Sequence, residues 1–348
     1  MSLMQRWEFS SHGRHNLALC STPRPQPGPG QALVRVDAVS LNYRDHLIAE
    51  TGLGTVWEFP LVPGSDIAGC IVDVGPGVHR VARGDRVINQ DIKGWVDGTA
   101  PTADTNTASI LGRLSEYVVI DQEQLVIAPR SMTSVEASTL PVAALTAWMA
   151  IVELGRVRAG QTIVIQGTGG VALFAAQFAL AHGARVIVTS SSAAKLSRLR
   201  TLGPIDGIDR LATPDWHHEV LKLTAGRGAD NVLEMAGGSN LYKSLEAVTL
   251  GGRISMIGLL DDLELRAPTG LLLFKRAIIA GIGVGSRRVL EDVVRAIDAL
   301  SLKPVIDAVY GFEDAGSAFD HLKRGPFGKI VVEVGLYPQA TSTYNAGI

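Results

Sequence analysis

Six consecutive residues, Gly167-Thr168-Gly169-Gly170-Val171-Ala172, have the types and spacing to hold a pyrophosphate. The order is G-x-G-x-x-A. The first glycine suits a tight turn, the second lets backbone approach a ligand with no Cβ between, and the alanine lets a helix lie close on a strand. N–H groups at the start of that helix would face the phosphates. The flanks supply the setting this spacing needs: residues 163–165 predict a short apolar strand, and an alanine-rich helix follows to a left-handed cap at Gly183. Residues 185–189 then predict a second, parallel strand. The stretch 162–200 therefore predicts a βαβ unit that binds a dinucleotide; the bland alternative is a glycine turn that caps a helix.

The end of the second strand bears on which dinucleotide. An NAD site places a carboxylate about twenty residues past the first glycine, for the ribose hydroxyls. Here residues 189–192 read Thr-Ser-Ser-Ser, and no Asp or Glu occurs from 167 to 205, whereas Arg185, Lys195, Arg198 and Arg200 do. Lys195 falls in the first turn of the next helix, where the macrodipole disfavours a cation by roughly a few tenths of a kcal/mol unless an anion is present. A 2′-phosphate would be that anion. Ser190, Ser191 and Lys195 are thus candidate contacts for NADPH, against the plain alternative of Lys195 as a solvated surface lysine.

The rest of the chain must position this unit. Its 348 residues suggest about two domains, and a net charge of −2 gives no reason to expect a nucleic-acid groove or an anionic membrane as partner. Apolar residues at 46% with 38 glycines suit an α/β enzyme with many turns. Two cysteines, Cys20 and Cys70, make no disulfide framework and read as small buried hydrophobes. With no apolar run of eighteen residues and no signal peptide, a soluble, cytoplasmic protein is expected. The opening Met1-Ser2-Leu3-Met4 reads as a cloning remnant before a start at Met4.

From 7 to 119 the pattern is mostly β, with strands at 33–39, 71–75 and 84–88 broken by glycines, as in a barrel. Residues 93–114 predict a loop lobe, and 137–154 a helix interrupted at Pro141. Strands at 228–238, 251–258 and 277–285, with a helix at 242–250, continue the alternation of a doubly wound parallel sheet. Helices at 290–300 and 314–324, a closing strand at 329–334 and a polar, mobile tail from 337 complete the reading. The apolar run 277–284 would leave an exposed edge, which predicts a homodimer joined there.

This order, with Pro63-Gly64-Ser65-Asp66-Ile67-Ala68-Gly69, Val74-Gly75-Pro76-Gly77-Val78 and Gly84-Asp85-Arg86-Val87, resembles the medium-chain dehydrogenase/reductase superfamily over nearly the whole chain. Leu41-Asn42-Tyr43-Arg44-Asp45, Leu145-Thr146-Ala147-Trp148, Val284-Gly285-Ser286-Arg287 and Phe327-Gly328-Lys329 look most like its zinc-free, quinone-oxidoreductase-like branch. The resemblance implies an α/β chain in which a GroES-like β-barrel catalytic domain, residues 1–135 and 286–348, is interrupted by a Rossmann domain, residues 136–285. It also implies pairing of subunits at the 277–284 edge. Positions that hold catalytic zinc in the metal-dependent relatives correspond to Asn42, Ser65 with Asp66, and Val142, and the 93–114 lobe has no cysteine for a structural zinc. Neither metal is expected.

By the same resemblance Asn42 and Tyr43 lie beside the nicotinamide as hydrogen-bond donors, and Asp45 with Arg44 forms a salt bridge that shapes the site. His46 is a weak candidate for a proton relay, while Trp57, Phe59 and Trp95 fall near the cleft. Thr146, Arg210, Gly258, Ser286, Arg287 and Lys329 join the fingerprint residues and Ser190, Ser191 and Lys195 around the cofactor. The expected activity is NADPH-dependent hydride transfer to a quinone or an α,β-unsaturated carbonyl. A metal-free alcohol dehydrogenase and a non-catalytic NADPH sensor are the alternatives.

Overall fold

The computed structural model of the protein describes residues 2–101 and 112–335, save the side chain of Leu263. The βαβ alternation builds one six-stranded parallel sheet, in spatial order Ile205–Asp209, Arg185–Ser190, Thr162–Gln166, Ala229–Glu234, Val248–Met256 and Ile278–Gly281. Ile163, Val164, Ile165, Val186, Ile187, Val188, Val232 and Leu233 are fully buried, as expected of parallel strands covered on both faces. Strand order reverses between Thr162–Gln166 and Ala229–Glu234, and in open α/β sheets ligands bind at the carboxyl ends of such strands. The helix Gly170–Ala181 starts there. Helix Arg287–Leu300 buries Val289, Leu290, Val293 and Ile297 in the same core as that helix.

The β-rich remainder closes around the long strand Gln31–Leu41. It pairs with Asp66–Val74, Tyr117–Asp121 and, from the far end of the chain, Lys329–Glu333. Arg86–Asn89, Leu125–Ile127 and Ile306–Gly311 extend the sheet at its two sides. Phe9, Val36, Leu41, Ile67, Ile71, Leu125, Phe319 and Ile330 fill its interior. Register brings distant polar residues to one end: Ser40 lies opposite Asp66, and Leu41 opposite Ile330, so Asn42, Asp66 and Lys329 become neighbours.

Several boundaries differ from expectation. The stretch around Pro141 stays helical: it is α-helical at Ser134–Ala137 and Leu145–Trp148 and π-helical at Leu140–Ala144 and Met149–Glu153. Pro141 sits in the first turn of a π segment, where its missing N–H costs little. The helix expected at 242–250 runs from Asn240–Ala247, because Val248 and Thr249 are β-branched and already belong to the next strand. A helix at Tyr43–Thr51 lies inside the region read as mostly β. Ile278–Gly281 is the edge of the parallel sheet, with Ile278, Leu273 and Phe274 exposed at or beside it. Among the described residues no helix is long and apolar enough to cross a membrane. The tail from 337 lies outside the described residues, as does part of the 93–114 lobe.

Candidate active site

At the nucleotide end, Gly167 turns at φ 82°, which only glycine adopts without strain, and a Cβ added at Gly167 or Gly169 would meet nothing within 4 Å. Open space therefore faces both glycines. Gly169 caps the helix without a side-chain hydrogen bond, so the first-turn N–H groups, from Gly170 to Ala172, have no intrahelical acceptor and suit an anion. Thr168 is buried, and its carbonyl accepts from Gly328 N at 2.9 Å. Gly258 packs so closely on Met235 that no side chain fits there. The turn after Ala229–Glu234 is held by Glu234, a fully buried carboxylate that accepts from Gln166, Asn240, Ser244 and the backbone of Ala236 and Gly237.

Ser190, Ser191 and Arg210 lie at the ends of two neighbouring strands, and Lys195 lies in the helix Ala193–Leu199 that follows the first of them. Arg210 N donates to Ser190 O at 2.9 Å, Ser190 Oγ accepts from Ser192 N, and the Arg210 side chain is exposed. Ser192 caps the helix by accepting from Lys195 N. The Lys195 ammonium reaches the Gly325 carbonyl, which draws the C-terminal turn to this end. Arg185 and Arg198 are occupied by Asp206 and Asp307. Thr146 is buried in its helical stretch, and Ser286 caps helix Arg287–Leu300 by accepting from Val289 N. Arg287 is bound in an ion-pair network with Glu123 and Glu291, joined by Arg80, between that helix and the barrel.

Asn42 begins helix Tyr43–Thr51. Its backbone N–H donates to Asp45 Oδ2 at 2.8 Å and its carbonyl accepts from Asp45 N, and Gly52 closes the helix in the left-handed region. The Asn42 amide is drawn into a ring. Nδ2 donates to Ser65 Oγ at 3.1 Å, Ser65 Oγ donates to Asp66 Oδ1 at 2.7 Å, and Asp66 Oδ2 accepts from Val142 N at 3.2 Å. Lys329 Nζ closes it, donating to Asn42 Oδ1 and Leu41 O, each at 2.7 Å, and lying 3.9 Å from Asp66 Oδ2. Tyr43 stands beside this ring, 40% exposed, with His46 edge-on to it at 5.6 Å between ring centroids.

The expected Arg44–Asp45 salt bridge does not form as a contact: Arg44 pairs with Asp91, while Asp45 turns back to the Asn42 N–H. Adjacent residues on a helix point about 100° apart, so they cannot face each other. Burial pushes the Asp45 carboxyl up to about 7, against the pull of Arg44, the Asn42 N–H and Lys329. Among the described residues its Oδ1, which is buried, has no hydrogen-bond partner. Burial lowers Lys329, opposed by Asp66 and Asp45. Burial also works against the Arg44 guanidinium, but Asp91, Asp45 and Asp66 together raise it above its usual value. Desolvation lowers His46, which lies 4.0 Å from Glu50. Trp57 and Phe59 pack into the barrel's cores, and Trp95 packs on the core of the parallel sheet.

Sequence reasoning missed Asp91 and the Glu234 cluster. The available signal was a polar residue following an apolar strand, as in Val87-Ile88-Asn89-Gln90-Asp91 and Val232-Leu233-Glu234.

A barrel-like sheet completed by the chain's last described strand, joined to a dinucleotide sheet, defines the class. The chain belongs to the medium-chain dehydrogenase/reductase superfamily, in its alcohol-dehydrogenase-like branch, a family of nicotinamide-dependent oxidoreductases. Residues 28–130 match the alcohol dehydrogenase GroES-like domain and residues 170–299 the zinc-binding dehydrogenase family. A zinc-type alcohol dehydrogenase-like protein of Schizosaccharomyces pombe is 38% identical over 318 residues, 88% of this chain and 91% of that one. A crystal structure from Sinorhizobium meliloti 1021, assigned as an alcohol dehydrogenase, is 51% identical with a TM-score of 0.91, covering 96% of this chain and all of that one. A quinone oxidoreductase of Pseudomonas syringae pv. Tomato DC3000 is 27% identical with a TM-score of 0.81, covering 95% of this chain and all of that one.

Proposed function

We propose that this protein is an NADPH-dependent reductase that delivers hydride to a quinone or an α,β-unsaturated carbonyl without zinc. One observation carries the reading: an ammonium, Lys329 Nζ, lies among Asn42, Ser65 and Asp66, the positions that the resemblance equates with metal ligands. An amide, a hydroxyl and one carboxylate with a cation among them do not fit a zinc ion. The open glycines and free first-turn N–H groups do fit a dinucleotide pyrophosphate. When bound, NADPH supplies the hydride. Asn42 Nδ2 and the Tyr43 hydroxyl hold the substrate oxygen on which charge develops, a role worth about 3–4 kcal/mol per donor. Asp45 anchors the first turn that carries both.

In this reading residues 136–285 bind the dinucleotide, and residues 1–135 and 286–348 form the catalytic domain. Lys195, Ser190, Ser191 and Arg210 recognise the 2′-phosphate. Thr146, Gly258, Ser286 and Arg287 frame the nicotinamide half of the cleft. Two chains join along Ile278–Gly281, whose exposed edge supports the pairing.

The alcohol-dehydrogenase names of two relatives favour a second reading, metal-free oxidation of an alcohol. A saturated alcohol must lose a proton of high pKa as hydride leaves, and an ammonium beside Asn42 is a poor base for it. A screen that follows NADPH consumption with quinones and enones, beside NADP reduction with secondary alcohols, decides between the two. The best rate with a simple alcohol, or no turnover with any acceptor while NADPH binds tightly, sinks the reductase reading. Lys195→Ala is expected to weaken NADPH binding by roughly 1.5–3 kcal/mol and leave NADH nearly untouched.

A further inference from the structure

We propose that Lys329 is a positioning residue: its buried ammonium orients and polarises the Asn42 amide, so that the free Nδ2 hydrogen is presented to the substrate oxygen in the place where relatives use a metal. The proposal rests on the reductase reading and deepens it.

An ammonium has donors only, so the end of the Asn42 amide that faces Lys329 Nζ at 2.7 Å must be the carbonyl. That contact fixes which way round the amide lies, a choice that shape alone would leave open. Nδ2 carries two hydrogens. One goes to Ser65 Oγ, whose own proton goes to Asp66, and the other is the only polar hydrogen left on this side chain. A positive charge on Oδ1 draws density from the amide and makes that hydrogen a stronger donor.

A role limited to neutralising buried Asp66 does not fit the geometry. The ammonium lies 2.7 Å from Asn42 Oδ1 and from Leu41 O, and 3.9 Å from Asp66 Oδ2.

The lysine is itself held from two sides. Its strand pairs with Gln31–Leu41, with Ile330 opposite Leu41. Its stem lies against Gly170, where any Cβ would collide with it. The preceding residue, Gly328, bridges to Gly169 and donates to Thr168 O. One side chain thus references the amide both to the barrel and to the dinucleotide turn.

The test combines a readout free of cofactor and acceptor with one of turnover. In protein labelled with 15N-asparagine, the Asn42 side-chain amide is assigned by its loss in Asn42→Ala. Lys329→Met is expected to speed hydrogen exchange of that amide about tenfold, while Lys329→Arg, which keeps the charge, retains most of the protection. With the best acceptor, Lys329→Met is expected to lower kcat about 100-fold while KM and the NADPH dissociation constant stay within about threefold. Lys329→Arg should recover part of kcat. If Lys329→Met does not fold, the charge-balanced pair Lys329→Met with Asp66→Asn takes its place, compared with Asp66→Asn alone.

An Asn42 amide unchanged in shift and exchange overturns the proposal, as do equal kcat losses in the Met and Arg variants. If the amide loosens but the wild type reduces no quinone or enone, the orienting role stands and the reductase reading alone falls.

Discussion

At the fingerprint turn the groups left open are main-chain N–H groups, with two glycines whose missing side chains leave open space; around Asn42 the polar groups are side chains. There Asp45, Asp66 and Asp91 meet Arg44 and Lys329 in largely buried surroundings. The main-chain groups of the first arrangement have nothing to titrate, so in the proposed reading its affinity follows steric fit and the contacts to a 2′-phosphate. The second stores unfavourable desolvation and is stable only while its charges stay matched. Damage should therefore differ in kind: at the turn it removes the ligand and leaves the fold, and at the Arg44–Asp91 pair it costs stability first.

The largest effect that would break this contrast lies in the cluster. Asp91→Ala strands Arg44, and unfolding in urea should show a loss of roughly 2–4 kcal/mol after discounting for the partial exposure of the guanidinium. A loss below about 0.5 kcal/mol, the range of an ordinary surface change, would mean that the pair is no more than a surface contact.

Next comes the turn. Gly169→Val places its side chain in open space at an ordinary backbone conformation, so thermal unfolding without cofactor should hardly move. NADPH affinity by calorimetry should fall on the order of 100-fold, because the space is where a pyrophosphate must approach. Equal damage to fold and affinity would erase the distinction.

The smallest effect sharpens it. Asp45 has its carboxyl raised to about 7, so between about pH 4 and 7 the folded state holds a proton that the unfolded chain has released. Its contribution to stability is then lost as pH rises through that window and is flat above it. Asp45→Asn, which can still accept from the Asn42 N–H, removes that slope. Urea unfolding at pH 4.5 and 7.5 should show the variant gaining about 1 kcal/mol or more on the wild type between the two. No change in the difference would place the Asp45 carboxyl near its ordinary value.

The same contrast explains what could be read from residues alone. The dinucleotide unit is contiguous, and its glycines, strands and cap lie within forty residues, so local rules reach it. The Asn42 ring joins residues 42, 65, 66, 142 and 329 through strand register, which no local pattern encodes. Asn42 and Lys329 were reached only by resemblance, and the contact between them was not. Arg44 shows the limit well: its neighbour in sequence suggested a partner, while helix geometry sent it to Asp91. Helix Tyr43–Thr51 was hidden by its β-rich surroundings although Asn42, Asp45 and Gly52 spell a capping box and a left-handed stop. The π-helical segments around Pro141 have no sequence rule of comparable strength.

Strand Lys329–Glu333 reaches back 288 positions, from Lys329 to Leu41, to complete the sheet that carries Asn42. On a ribosome, the parallel sheet from Thr162–Gln166 to Ile278–Gly281 can close strand by strand while Gln31–Leu41 still waits for this neighbour. A nascent chain halted in between would carry a nucleotide-binding half beside an open β-edge, the kind of surface that chaperones shield and proteases sample.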